Sequence, residues 1–223
     1  MKNINHAQFK KMISEVPSTT LEDISILLPD EYFECKLSKI TSKERLKTMF
    51  LGLNRSLPNL YRLELDNMRH PILALIGNFK SKNIREKLKG SYLSDFIKHS
   101  ILRKFLERDK YTNSGEVYAV VRANPEILEK CGEALLKEIA VFQIKTVFCF
   151  GGTTYYFIKK FFKDYYSVKL NEINSKRFSV KIDNRMINFV QLTHYSGRAY
   201  GAKEKIENEL RDYYKDKSLT FYV

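Results

Sequence analysis

"TVFCFGGTTYYFIKKFF", residues 146–162, holds a strand, a turn and a helix in one line. Five apolar or β-branched residues without polar alternation read as a strand buried on both faces. Gly151 and Gly152 then turn the chain. A helix is expected from near Thr153, where aromatic and aliphatic residues return at three- and four-residue intervals. A glycine pair between strand and helix lets the backbone approach a ligand or the sheet closely, although tight strand-to-helix turns also occur with no ligand.

The same pattern recurs on both sides of this unit. "TMFLGL", residues 48–53, is a continuous apolar run that opens into Asn54, Arg55 and Ser56. "SYLSDF", residues 91–96, reads as a second buried strand, running into helical spacing at Ile97, Ile101, Leu102 and Phe105. After an exposed loop, "RDKYTNSGE" at 108–116, the run "EVYAVV" at 116–121 reads as a third extended segment. Asn124 and Pro125 then suit the cap and first turn of a helix whose apolar positions are 127, 128, 131, 135, 136 and 139. "RFSVKIDNRMINFVQL", residues 177–192, predicts a hairpin about Asp183 and Asn184 whose second arm delivers Thr193 and His194 into the loop "YSGRAYG". "AKEKIENELRDYY" closes the pattern as an amphipathic helix. Strands alternating with helices predict an α/β fold, a three-layer α/β/α sandwich with a mostly parallel central sheet.

With 223 residues and 43% hydrophobic content, the chain is expected to bury one core as a single domain spanning 1–223, with residues 1–45 as an N-terminal helical segment packed on it. The longest apolar runs, such as "TVFCF" and "ILALIG", are far too short to span a bilayer. The start "MKNINHAQFKKMISE" has no apolar stretch like a signal peptide, so a cytoplasmic protein with no membrane partner is expected. Cys35, Cys131 and Cys149 lie far apart, which argues against a cluster, a structural zinc or a disulfide framework and for reduced, mostly buried thiols. No metal constellation shows in the sequence, and no cofactor is expected. Thirty-nine Lys and Arg against 26 Asp and Glu leave a formal charge of +13, which attracts polyanions; nucleic acid is the first partner to consider, beside the plainer reading of a solvated basic surface.

In open α/β sheets, function collects at the carboxyl ends of the strands. Those ends carry Asn54 with Ser56, Ser94 with Asp95, Gly151 with Gly152, and His194 with its loop. Each has a plain structural reading as well: Asn54 as a turn former, Asp95 as a helix cap, His194 as a hydrogen-bonded surface histidine.

Taken in order, these segments resemble the uracil-DNA glycosylase superfamily. "LGLNRS", 51–56, is similar to the water-activating motif of the mismatch-specific branch; "YLSDFIK", 92–98, to a segment where other branches carry Thr-Asn, apolar residues and lysine; "LTHYSG", 192–197, to the terminal His-Pro-Ser motif opening the DNA-intercalating loop. The resemblance spans about residues 48–205 and implies a uracil-DNA glycosylase-like fold and a monofunctional DNA glycosylase, without lyase activity, acting as a monomer on double- or single-stranded DNA. Asn54 would orient a water toward C1′, and a neutral His194 would donate to the departing base; lacking the aspartate of the fastest branch, the chain is expected to turn over slowly. Base flipping requires a loop that fills the gap. The resemblance assigns that work to Tyr195 as a wedge and Arg198 as a phosphate or base contact, with Ser196 and Gly197 in the same loop and Arg55, Ser56, Gly151 and Gly152 on the DNA.

Where uracil-reading members carry asparagine, this chain has Asp95. A carboxylate only accepts hydrogen bonds, and a protonated one donates to N3 of cytosine while accepting from its N4 amino group. That favours a cytosine-type base, and since removing ordinary cytosine would harm the host, a modified one is expected, such as occurs in phage DNA, with phage defence as the setting. Uracil excision in base-excision repair is the alternative, Asp95 then being a cap. Phe79 in "GNFKS" is the expected stacking platform for the flipped base, with Tyr61 as the alternative, and Tyr92 would close the other side of the pocket. Two other classes compete: a DNA-binding protein of the same fold without catalysis, and a nucleotide or nucleoside hydrolase holding phosphate at Gly151 and Gly152.

Overall fold

A computed structural model of the chain describes residues 48–54, 75, 79–88, 91–98, 102, 105, 114–195 and 201–215. Strand β3, Thr146–Phe150, is buried at every position, as its unbroken apolar run requires. Gly151 follows with φ 84° and ψ 157°, a conformation that a Cβ disfavours, and its N–H continues the sheet by donating to Leu192 O at 2.9 Å. The helix after it, Gly152–Asp164, buries Thr154, Tyr155, Phe157, Ile158, Phe161 and Phe162, one apolar stripe at helical spacing. Thr154 Oγ1 donates to Phe150 O at 2.8 Å and ties the first turn to the strand end.

Among the described residues six strands form one sheet: β1 Thr48–Asn54, β2 Tyr92–Ile97, β3, β4 Asn171–Asn174, β5 Arg177–Ile182 and β6 Arg185–Leu192. Their order is β2-β1-β3-β6-β5-β4. The pairs β2/β1, β1/β3 and β3/β6 are parallel, whereas β6/β5 and β5/β4 are antiparallel. The sheet is therefore mixed, and "mostly parallel" holds for one half of it. The reason lies at the expected hairpin, where Asp183 and Asn184 both take positive φ, 46° and 62°, forming the two-residue turn whose twist matches paired strands. Such a turn returns the chain at once, with no crossover helix to make the next pair parallel.

Five helices accompany the sheet among the described residues: α1 Lys82–Lys87, α2 Ser114–Ala123, α3 Pro125–Val141, α4 Gly152–Asp164 and α5 Ala202–Lys215. Register partners Phe50 and Phe148 share one face of the sheet, where Phe148 meets the Tyr213 ring of α5 edge-on at 5.2 Å and Thr146 hydrogen-bonds the Tyr213 hydroxyl at 3.0 Å. Ser94 and Leu51 face the other way. Ser94 donates to Glu138 of α3, and Phe162 of α4 packs on Phe189 at 5.2 Å. Cys131 and Cys149 are buried, while Cys35 lies outside the described residues. No helix among the described residues is long and apolar enough to cross a membrane.

Four local expectations are corrected. Residues 116–121 are helical, within α2: Val117 and Val121 are buried four residues apart while Tyr118 and Ala119 are exposed, so helical spacing prevails over the β-propensity of Val and Tyr. Residues 114–116 of the expected loop belong to the same helix, and 108–113 lie outside the described residues. Asn124 precedes α3 and Pro125 opens it, but the Asn124 side chain does not cap; its Nδ2 donates backward to Val120 O at 2.9 Å. Ile97 belongs to β2 and not to a helix. The segment 1–45 lies outside the described residues.

Candidate functional site

Parallel pairing delivers the carboxyl ends of β2, β1, β3 and β6 to the same sheet edge, in that spatial order. Register fixes the levels: Gly52 pairs with Asp95, Asn54 with Ile97, Leu51 with Cys149, and Phe150 with Leu192. Asn54 and His194 thus leave strands separated only by β3, two strand spacings or about 10 Å apart.

Asp95 lies inside β2, so it is not a helix cap. Its carboxylate folds across the neighbouring strand: Oδ1 lies 2.2 Å from where a Cβ on Gly52 would stand. Gly52 has no positive φ, so its lack of a side chain serves space and not backbone geometry. The glycine of "LGLN" is the seat of the Asp95 carboxylate.

On the far side, the segment after β6 is held by α5. Thr193 gives its N–H to Glu209 Oε2 at 2.7 Å and its hydroxyl to Oε1 at 3.0 Å. This presents His194 over Gly151, with Cδ2 3.2 Å from where a Gly151 Cβ would stand. Tyr195 lies flat under the imidazole, ring centroids 4.9 Å apart at 13°, and meets Phe150 edge-on at 5.0 Å. Burial pushes the Tyr195 phenol well up from its ordinary value and the charge of Asp95 adds to it, so the hydroxyl stays protonated through the physiological range. His194 is open to solvent on one side, yet burial on the other holds its pKa below the usual histidine value, favouring the neutral ring at pH 7.

His194, Tyr195, Phe150 and Gly151 therefore form one connected set, and Asp95, seated over Gly52, places a charge that acts on the Tyr195 hydroxyl. The Tyr195 ring packs inward on Phe150 and His194, where an outward projection was expected of a wedge. Two further assignments are corrected. Phe79 is 1% exposed and part of the core, leaving no face for a base to stack on; the following N–H groups of Lys80 and Ser81 are tied to Glu207 of α5 at 3.0 and 2.6 Å. Tyr92 opens β2 opposite Met49, three residues and about 10 Å along the strand from Asp95, away from the carboxyl edge. Asn54 ends β1 at the edge, its side chain lying outside what is described, as do Arg55, Ser56, Tyr61, Ser196, Gly197 and Arg198.

Beneath Asp95 lies a buried polar group that the sequence reading passed over. Lys98 and Glu138, 2% and 0% exposed, pair at 2.8 Å, and Ser94 Oγ donates to the same Glu138 oxygen at 2.8 Å. Its signal was present: Glu138 stands between buried Leu135 and Ile139 on α3, a charge on an apolar stripe. Gly152 exposes the first turn of α4 at the same edge, where amides without intrahelical partners and the positive end of the helix dipole favour an anion. Among the described residues no group of three or more His, Cys, Asp or Glu is arranged to hold a metal ion. No protein-family model matches the chain, and no curated protein matches it.

Proposed function

We propose that the chain is a DNA glycosylase of uracil-DNA glycosylase-like, three-layer α/β/α architecture, which flips one base out of DNA and hydrolyses its N-glycosidic bond to leave an abasic site, with a modified cytosine-type base as substrate. The observation that carries the reading is the stack of His194 on Tyr195 over Gly151, at the same carboxyl edge to which β1 and β2 bring Asn54 and, across Gly52, Asp95. Packing of α3 and α4 on one sheet face and α5 on the other supports the layered architecture.

Breaking the glycosidic bond puts positive charge on the sugar and negative charge on the departing base, and the chain has a group suited to each. A neutral His194 donates a hydrogen bond to the base oxygen as it becomes anionic, and charge developing in a partly desolvated site is stabilised more than it would be in water. Asn54, at the end of β1, orients the attacking water. Asp95 accepts from an exocyclic amino group, which cytosine-type bases present and uracil lacks. The protonated Tyr195 hydroxyl, which feels the Asp95 charge, supplies the complementary donor. Phosphates flanking the flipped nucleotide bind the first turn of α4 at Gly151 and Gly152, and the basic chain carries the rest of the strand.

An abasic-site assay tests this: wild type and His194→Ala are incubated with duplexes carrying uracil, cytosine, hydroxymethylcytosine or its glucosylated form, followed by alkaline strand cleavage. Strand cleavage on a cytosine derivative, lost in the variant, is expected. Cleavage on uracil alone would overturn the role of Asp95. No cleavage, with salt-sensitive DNA binding, would leave a non-catalytic binder.

A further inference from the structure

Lys98 follows the last residue of β2, and its side chain curls back along the strand. The ammonium donates to Ser94 Oγ at 2.7 Å, to the main-chain oxygen of Asp95 at 2.8 Å and to Glu138 Oε1 at 2.8 Å. Three donors meet three acceptors. The Lys98 N–H goes to Cys131 Sγ at 3.4 Å, so main chain and side chain both anchor on α3. Such a pair is a poor device for stability alone, because removing two charges from water costs several kcal/mol and apolar residues of similar volume often do as well.

What an apolar pair cannot do is hold a carbonyl. Among the described residues β2 ends the sheet order, beside β1, and the peptide it most needs to fix is that of Asp95, whose side chain must cross to Gly52 on the opposite face from Ser94 and Lys98. The geometry points to Lys98 as the positioning residue for Asp95: its ammonium, fixed by Glu138 and Ser94, clamps the Asp95 carbonyl and so aims the carboxylate across Gly52 into the site. This inference rests on the glycosylase reading for its effect on excision, and on the structure alone for its effect on β2.

The test is a double-mutant cycle. Lys98→Met is combined with Glu138→Gln, which avoids an unpaired buried charge and keeps an acceptor for Ser94, and the pair is introduced with and without Asp95→Ala. With Asp95 present, single-turnover excision is expected to fall about 10²-fold while KM for DNA stays within about twofold. With Asp95 already removed, the same pair is expected to change nothing further. An equal loss in both backgrounds, or no loss in the first, overturns the inference. If the pair does not fold, Ser94→Ala loosens the clamp more gently and is expected to slow excision several-fold in the Asp95 background only; equal effects with and without Asp95 overturn the inference there too. If wild type makes no abasic site, the glycosylase reading fails by itself, and amide hydrogen exchange decides on positioning: faster exchange confined to residues 94–98 of the variant upholds it, and unchanged exchange overturns it.

Discussion

Replacing Gly52 with alanine adds one methyl group where the Asp95 carboxylate now lies. The added Cβ would stand 2.2 Å from Asp95 Oδ1, whereas ordinary contact begins at 3.4 Å, so the oxygen must retreat by about 3.4 − 2.2 = 1.2 Å. Little else opposes the change: the second-nearest atom, Asp95 Cγ, is already at 3.4 Å, the Ser94 carbonyl oxygen is at 3.9 Å, and the backbone at Gly52 has no positive φ. Alanine in place of glycine in a compatible strand stabilises by about 0.4–1 kcal/mol through the unfolded chain. Swinging the carboxylate off its rotamer costs about 0.5–1.5 kcal/mol. The net change in stability is thus expected to lie within about 1 kcal/mol of zero. Catalysis is far less tolerant, since displacing a reacting or recognising group by about 1 Å can cost about 10²-fold in rate.

Gly52→Ala is therefore expected to keep its urea midpoint and lose about 10²-fold in single-turnover excision. The double variant Gly52→Ala with Asp95→Ala, in which no clash remains, is expected to match Asp95→Ala in rate and exceed it slightly in stability. Full excision by Gly52→Ala would refute the argument that the carboxylate must lie across β1 in order to work. A stability loss above about 3 kcal/mol would refute the argument that only a movable side chain stands in the way, because losses of that size come from strain or cavities in the core.

Gly151→Ala is expected to destabilise the fold by about 1–3 kcal/mol in denaturant melts, because φ 84° disfavours a side chain, and to slow excision as well because the new Cβ would press on His194 Cδ2 at 3.2 Å. Burial lowers the His194 pKa, so wild-type excision is expected to be flat near pH 7 and to fall once the pH drops below the lowered value, where imidazolium replaces the neutral donor; a decline already centred above the ordinary histidine value would contradict this. Linkage runs in the same direction. The unfolded chain takes up a proton on His194 before the folded one does, so its contribution to stability is complete above the ordinary value and is lost as the pH falls through the window down to the folded value, as His194→Gln compared with wild type in urea melts would show. Glu209→Ala removes both acceptors that hold Thr193, and is expected to lower the excision rate with little change in KM, as read in single-turnover kinetics. DNA affinity is expected to fall at least about 10²-fold between about 50 and 200 mM salt, measured by anisotropy on an unmodified duplex.

The unit at 146–162 was legible because its two signals agree: an uninterrupted apolar run is a buried strand, and a glycine pair before helical spacing is a turn. At residues 116–121 the signals conflict, with Val and Tyr favouring strand and the four-residue interval between Val117 and Val121 favouring helix; the interval prevails because burial of one stripe outweighs small intrinsic propensities. The Asp183-Asn184 hairpin is legible in the sequence, yet the mixed sheet takes two tight returns: this one makes β5/β6 antiparallel, and the short link from Asn174 to Arg177 makes β4/β5 antiparallel. Chain order also places three of the four positions, Asn54, Gly151 with Gly152 and His194, at strand ends, since parallel strands share a carboxyl edge, whereas Ser94 and Asp95 lie within β2.

Direction at those ends is what a linear pattern does not carry. Tyr195 follows His194 immediately, and whether it projects outward as a wedge or folds inward as a wall depends on Phe150, far away in sequence, and on Glu209 of α5, which pins Thr193 and so sets the exit angle of the chain. Phe79 poses the same question, answered by the core. On the proposed glycosylase function, the inward turn of Tyr195 moves the expected gap-filling residue beyond it in the chain. Arg198 is the long side chain next in line, and Tyr195→Phe, which keeps the ring and removes only the hydroxyl, should accordingly leave DNA affinity unchanged while altering the choice of base. A loss of affinity in that variant, read by anisotropy on an unmodified duplex, would return Tyr195 to the groove and make its packing on Phe150 a resting position.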